Sequence, residues 1–236
     1  MRRALLVCVV AGAAALAAGV GPAGATNECR GLQVCVKVRG PWVVVPAQLG
    51  ASRAGVLFQL SCPRSFVAAG LDAELSDRAI DLDFSGLLGS PVGPGTTTSR
   101  SVLFRAVYTG AAARNPSFRP HLGCVPLAGG GNGPVPYRRL QAFPPGQPTI
   151  RRVRTVRLHT GSVRAAAACL AGERLISGWH AVGFYTASAP SAALVQSVSA
   201  TRSSRGGRVE VRARAGAAVT GVRAVLQVGA VCGGGS

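Results

Sequence analysis

Val102-Leu103-Phe104-Arg105-Ala106 returns 107 residues later as Val209-Glu210-Val211-Arg212-Ala213, and this echo decides the fold. The second stretch alternates apolar and polar residues up to Arg212, the period of a strand with one buried face, and the first matches it at Val102, Phe104, Arg105 and Ala106. A shift of 107 or 108 also carries Cys62 onto Cys169, Cys124 onto Cys232, Val56 onto Val163 and Gly70 onto Gly178. Two cysteines, a glycine and a strand pattern that move together mark an internal duplication. Closing each copy on itself gives the bridges Cys62–Cys124 and Cys169–Cys232, with Cys29 and Cys35 left to pair across a short N-terminal loop. In the chain-entropy view, a bridge over roughly 60 residues is worth about 4 kcal/mol.

Other segments agree with an all-β reading. Trp42-Val43-Val44-Val45 and Gly55-Val56-Leu57-Phe58-Gln59-Leu60 are short β-branched or aromatic runs bounded by Pro and Gly. Ile80, Leu82 and Phe84 alternate with Asp81 and Asp83. Ser101–Tyr108 and Arg208–Arg214 alternate likewise, and Val222–Val228 precedes the last cysteine. Val163–Cys169 is Ala-rich and favours helix by propensity. Its repeat partner Val56–Cys62 favours strand, and tertiary context overrides so weak a preference.

The expected organisation is therefore a signal peptide over 1–25, an N-terminal disulfide loop over 26–41, a first β repeat over 42–127, a Pro/Gly-rich linker over 128–148 and an Arg-rich second repeat over 149–236. The fold class is all-β, with two tandem small disulfide-closed β-sandwich-like domains after the signal. Arg2 and Arg3, the apolar run Ala4–Ala18 and the small residues of Ala23-Gly24-Ala25 are the parts of an export signal. Its removal takes Cys8 and leaves six cysteines, an even number that suits an oxidising compartment. No later run is long enough to span a bilayer, so the expected location is secreted, extracellular or cell-wall associated. The linker includes Tyr137–Phe143, a candidate short edge strand.

Cys62-Pro63-Arg64-Ser65-Phe66-Val67-Ala68-Ala69-Gly70, closed by the distant Cys124, resembles a repeat of exported actinobacterial proteins of unassigned function. In that pattern a Cys-Pro-x-Gly segment leads through apolar residues to a Gly-Gly pair, and a second Cys ends the domain. The chain departs from it at Ser65, at Ala69 and, in the second copy, at Leu170. The resemblance implies small disulfide-closed β domains without an assigned activity, over most of 42–127 and 149–236.

Of the 236 residues, 26 are Lys or Arg and 8 are Asp or Glu, a formal net charge of +18. The balance is uneven. Residues 26–100 hold seven basic and six acidic side chains, and residues 101–236 hold seventeen arginines and two glutamates. Arg138, Arg139, Arg151, Arg152, Arg154 and Arg157 form one cluster, and Arg202, Arg205, Arg208, Arg212 and Arg214 another. On a strand Arg208, Arg212 and Arg214 share a face. Guanidinium forks hold phosphate or carboxylate at two points, so these clusters are candidate polyanion contacts. The partners expected are an anionic wall polymer or an acidic polysaccharide. Lipid head groups are a further anion of the cell exterior, and export argues against nucleic acid as a physiological partner.

The signs of catalysis are sparse. Asp81-Leu82-Asp83-Phe84-Ser85-Gly86 has the opening of a calcium loop, but position twelve is Val92 where a bidentate Glu is needed. No G-x-S-x-G elbow frames a serine for His121, His159 or His180. Trp42 and Trp179 read as core or edge aromatics. The cysteines lack metal-ligand spacing. No catalytic residue, metal or cofactor is assigned. The leading function is a non-enzymatic surface or extracellular-matrix module. The alternatives are a secreted hydrolase whose residues are scattered along the chain, or a structural subunit of an envelope assembly.

Overall fold

The computed structural model describes residues 26–47, 55–86, 100–110, 116–126 and 149–233. The signal segment, the linker and the Tyr137–Phe143 strand lie outside them, as do Val92, Arg138 and Arg139. The described residues form an all-β, antiparallel, disulfide-bonded fold with one short helix.

The first half contributes β1 (Val36–Arg39), β2 (Trp42–Val44), β3 (Val56–Ser61), β4 (Phe66–Leu75), β5 (Ile80–Gly86), β6 (Ser101–Tyr108) and β7 (Ser117–Pro126). The second contributes β8 (Thr149–Leu158), β9 (Gly161–Ala168), β10 (Arg174–Tyr185), α1 (Ala192–Gln196), β11 (Val198–Arg205), β12 (Arg208–Ala215) and β13 (Arg223–Gly233). In each half a three-stranded sheet covers part of a larger one. Sheet β3-β6-β5 corresponds to β9-β12-β11, and pair β4-β7 to pair β10-β13. The Ala-rich segment before Cys169 is strand β9, as its repeat partner indicates.

Alternation explains the packing. Val56, Phe58 and Leu60 of β3 meet Val102, Phe104 and Ala106 of β6 in the first core, with Phe118 and Leu122 from the facing sheet. Ala165 and Ala167 of β9 meet Val209, Val211 and Ala213 of β12 in the second, with Leu226 and Val228 opposite. Smaller side chains on β9 suit the lower aromatic content of that core. The bridges are Cys29–Cys35, Cys62–Cys124 and Cys169–Cys232.

Three details depart from expectation. The two sandwiches are joined edge to edge, because β2 pairs with both β7 and β10 and makes one seven-stranded sheet. Gly70 does not align with Gly178. Cys124 faces Ala68 and Cys232 faces Leu175, so bulged strand β4 superposes on bulged strand β10 with Gly70 at Ser177. The shift is 107 through β6 and becomes 108 only at β7, so a single offset misplaces the glycine by one. Finally, Ile80 is buried and Leu82 packs on the core, but Phe84 is 58% exposed. It lies on an edge strand beside Phe104, which already fills the core position.

The N-terminal disulfide loop lies flat on the outer face of β4 and β7. A Cβ at Gly70 or Gly123 would overlap the carbonyl of Glu28, so only glycine allows the loop to approach.

Candidate functional site

The outer face of β11-β12-β9 is the most strongly basic surface among the described strands. Val209, Val211, Ala213 and Ala215 turn inward, which leaves Arg208, Glu210, Arg212 and Arg214 outward. Register completes the face. Arg212 lies between Thr201 and Arg164, Arg214 between Ser199 and Ser162, and Arg208 between Arg205 and Ala168. Neighbouring strands are about 4.8 Å apart and alternate residues on a strand about 6.8 Å apart, so five guanidinium groups share a plane with four hydroxyl side chains. The hydroxyls are Ser162, Ser199, Thr201 and Ser203. Glu210 is the single carboxylate in this plane, 3.7 Å from Arg212 Nε. Two pairs, Arg164–Arg212 and Arg205–Arg208, set like charges directly opposite each other, which disfavours folding by a few tenths of a kcal/mol or more per pair. The corresponding face of the first sandwich carries Asp81 and Asp83 around Arg105. Both aspartates are outward on a strand, and Asp83 sits 4.0 Å from Arg105, so they do not wrap around a cation.

Of the arginines expected from sequence, Arg208, Arg212 and Arg214 stand together. Arg151, Arg152, Arg154 and Arg157 are elsewhere, on β8 at the edge of the seven-stranded sheet, and alternation divides them between its faces. Arg152 is held by Glu173, with Nε 2.9 Å from Oε2. That contact pulls the Glu173 carboxyl below its usual range, and Leu170 N–H adds to it. Burial lowers the Arg151 pKa. Arg202 turns away from the basic face and donates to the carbonyl of Gly178. Arg205, named in the second sequence cluster, is on this face too; Arg164 joins it through strand pairing, 48 residues from Arg212 in sequence and with no local signal.

A second polar cluster is largely buried. His121 is 1% exposed, with Nδ1 3.7 Å from Glu28 Oε1 and Nε2 2.9 Å from Glu74 Oε1. Arg119 Nη1 is 3.6 Å from Glu74 Oε2, and its guanidinium stacks 4.6 Å over Trp42 while donating to the carbonyls of Thr186 and Ala187. Burial lowers the His121 pKa, opposed in part by Glu28 and Glu74. The disulfide loop that carries Glu28 covers His121 and ties the loop to β7, while the Glu74 side chain remains 30% exposed at the rim of the cluster.

His180 lines a cleft of about 470 Å³ at the junction of the sandwiches, with Val44, Val56, Trp179 and Arg202. Burial and the neighbouring Arg202 lower its pKa. No carboxylate is among the residues that line this cleft. His159 is exposed in the turn after β8. Trp42 and Trp179 are buried at 5% and 3%, and Trp179 lies across Gly229. Cys169, Cys232 and Glu173 come together, but both sulfurs are spent in the bridge and Glu173 is engaged by Arg152. Among the described residues, no helix is long and apolar enough to cross a membrane.

The chain matches no protein-family model, and searches of curated proteins and of solved structures gave no match.

Proposed function

We propose that the protein is a secreted, non-enzymatic module of the cell exterior that binds anionic envelope polymers through the outer face of β11-β12-β9. The observation that carries this reading is the pair of like-charge contacts, Arg164–Arg212 and Arg205–Arg208, on an exposed face otherwise made of Arg214, hydroxyls, alanine and one glutamate. Such contacts oppose folding in isolation and become favourable when a polyanion threads between them. Residues along alternate positions of adjacent strands present a repeating grid, which suits a repeating phosphate or carboxylate ligand better than a single small anion. Three bridges and a bare basic face suit the oxidising exterior. A secreted hydrolase would have His121 between two carboxylates in its favour, but that histidine is sealed.

Retention on heparin and on isolated cell wall tests the reading. The wild type is expected to bind at low salt and to elute steeply as salt screens the face. The Arg164→Gln/Arg212→Gln/Arg214→Gln variant is expected to elute much earlier than Arg154→Gln/Arg157→Gln. Flow-through of the wild type at low salt, or equal elution of the two variants, overturns it.

A further inference from the structure

The end of the second sandwich carries a different surface. Leu170, Ile176 and Ile150 are 61%, 59% and 43% exposed around the Cys169–Cys232 bridge, with Ile150 on the sheet face of Cys232 and Ile176 on the opposite face, over Gly233, so they border the sandwich end from either side. Leu170 follows Cys169 in the chain, and Ile150 is the strand partner of Cys232. Ile176 is the extra residue of the β10 bulge, and its Cδ1 lies where a Cβ of Gly233 would fall. A bulge re-aims a side chain, and here it turns an isoleucine outward.

The first sandwich has the same bulge and bridge with smaller side chains around them, although Val36 is itself 40% exposed. Its equivalents are Pro63 after Cys62, Ala69 in the bulge and Val36 opposite Cys124. There the disulfide loop lies over Gly70 and Gly123 beside them. The second copy thus has a larger aliphatic side chain at each of the three positions and no covering loop among the described residues.

Arginines stand at strand ends of both sheets near this tip. Arg174 is exposed at the start of β10. The hairpin Arg205-Gly206-Gly207-Arg208, with both glycines at positive φ, is fixed beside Cys169 by the bond from Cys169 N–H to the Gly207 carbonyl. The carboxylate of Glu173 is held by Arg152 and Leu170 N–H, so it does not offset these charges.

We propose that this tip docks on an anionic lipid bilayer, with Leu170, Ile176 and Ile150 inserting below the head groups while Arg174, Arg205 and Arg208 bind lipid phosphates. Aliphatic side chains at the sandwich end, with arginines on the strand ends of both sheets, match both layers of a bilayer interface, apolar below and anionic above. The surface is separate from the Arg164–Arg212–Arg214 grid, although Arg205 and Arg208 border both.

The test is co-sedimentation of the full mature chain with vesicles of equal parts phosphatidylglycerol and phosphatidylcholine. The wild type is expected to bind them and to bind pure phosphatidylcholine weakly. Leu170→Ser/Ile176→Ser removes two exposed side chains without touching a core, and is expected to weaken partitioning about tenfold or more. The same variant is expected to keep its heparin retention, which separates this proposal from the polymer-binding one. In a second measurement, the indole introduced by Leu170→Trp is expected to be quenched by brominated phosphatidylglycerol, against a wild-type background from the buried Trp42 and Trp179. Absence of wild-type binding, equal binding by the serine variant, or no quenching of the introduced indole beyond that background would overturn the proposal.

Discussion

The side-chain amide of Gln227 is bonded to both backbone groups of Gln59. Gln59 N–H donates to Oε1 at 2.6 Å, and Nε2 donates to the Gln59 carbonyl at 2.9 Å. The amide thus acts as one residue of an added strand on the open edge of β3. Thr155 Oγ1 lies 3.2 Å from the same nitrogen, and Gln227 is 3% exposed. Residues 168 apart are joined by this contact, one from each sandwich.

Gln227→Leu keeps the size and strands two backbone groups of Gln59 without partners. The expected destabilisation is about 2–4 kcal/mol, from two unsatisfied buried groups. Chemical denaturation measures it; a change below about 0.5 kcal/mol, the range of ordinary surface substitutions, would show the contact to be incidental.

Gly123→Ala places a methyl group into the carbonyl of Glu28. The N-terminal loop must then lift from β7, at a cost of about 1–3 kcal/mol as in other overpacked sites. Limited proteolysis after Arg30 is expected to be faster in this variant than in the wild type. Equal cleavage would mean that the loop is held by other contacts.

Acid is expected to weaken the fold through His121 and His180. Both have folded pKa values lowered from 6.5, with burial the first cause in each. The neutral imidazoles therefore contribute stability that is fully present above pH 6.5 and is lost as pH falls toward the lower folded values. The melting temperature should fall as pH drops below about 6.5, and His121→Gln should flatten the dependence. Glu28 and Glu74 oppose this trend from either side of His121, and Arg39 reinforces it. An unchanged slope in the variant would remove His121 from the account.

Removing the Cys169–Cys232 bridge with paired alanines should cost about 4 kcal/mol, and removing Cys29–Cys35 about 2 kcal/mol, because the closed loops differ in length. Thermal melts of the two variants give the comparison. A larger loss from the short loop would place its contribution in the native contacts of Glu28 instead of in chain entropy.

Local and repeated signals in the chain were readable, and long-range ones were not. Alternation around Val209–Ala213 and Val102–Ala106 marks both inner strands, because side-chain direction follows directly from period two. Bridge spacing identifies the pairs because duplication keeps it. Arg208, Arg212 and Arg214 share a face for the same local reason. Arg164 reaches that face only through the register of β9 with β12. His121 meets Glu28 and Glu74 only because two glycines admit a loop from the far end of the chain. The one-residue slip between Gly70 and Gly178 is a further case: sequence offsets cannot tell where an extra residue enters, whereas the ladder of β4 on β7 can.

Strand β2, only Trp42–Val44, belongs by sequence to the first half, yet its second neighbour is β10 in the other. During synthesis the first half emerges long before β10 exists. Until then its central seam is a raw β edge that offers backbone groups to any neighbouring chain. Premature truncation products ending near the linker should accordingly clump, because the edge of β2 stays open until β10 covers it.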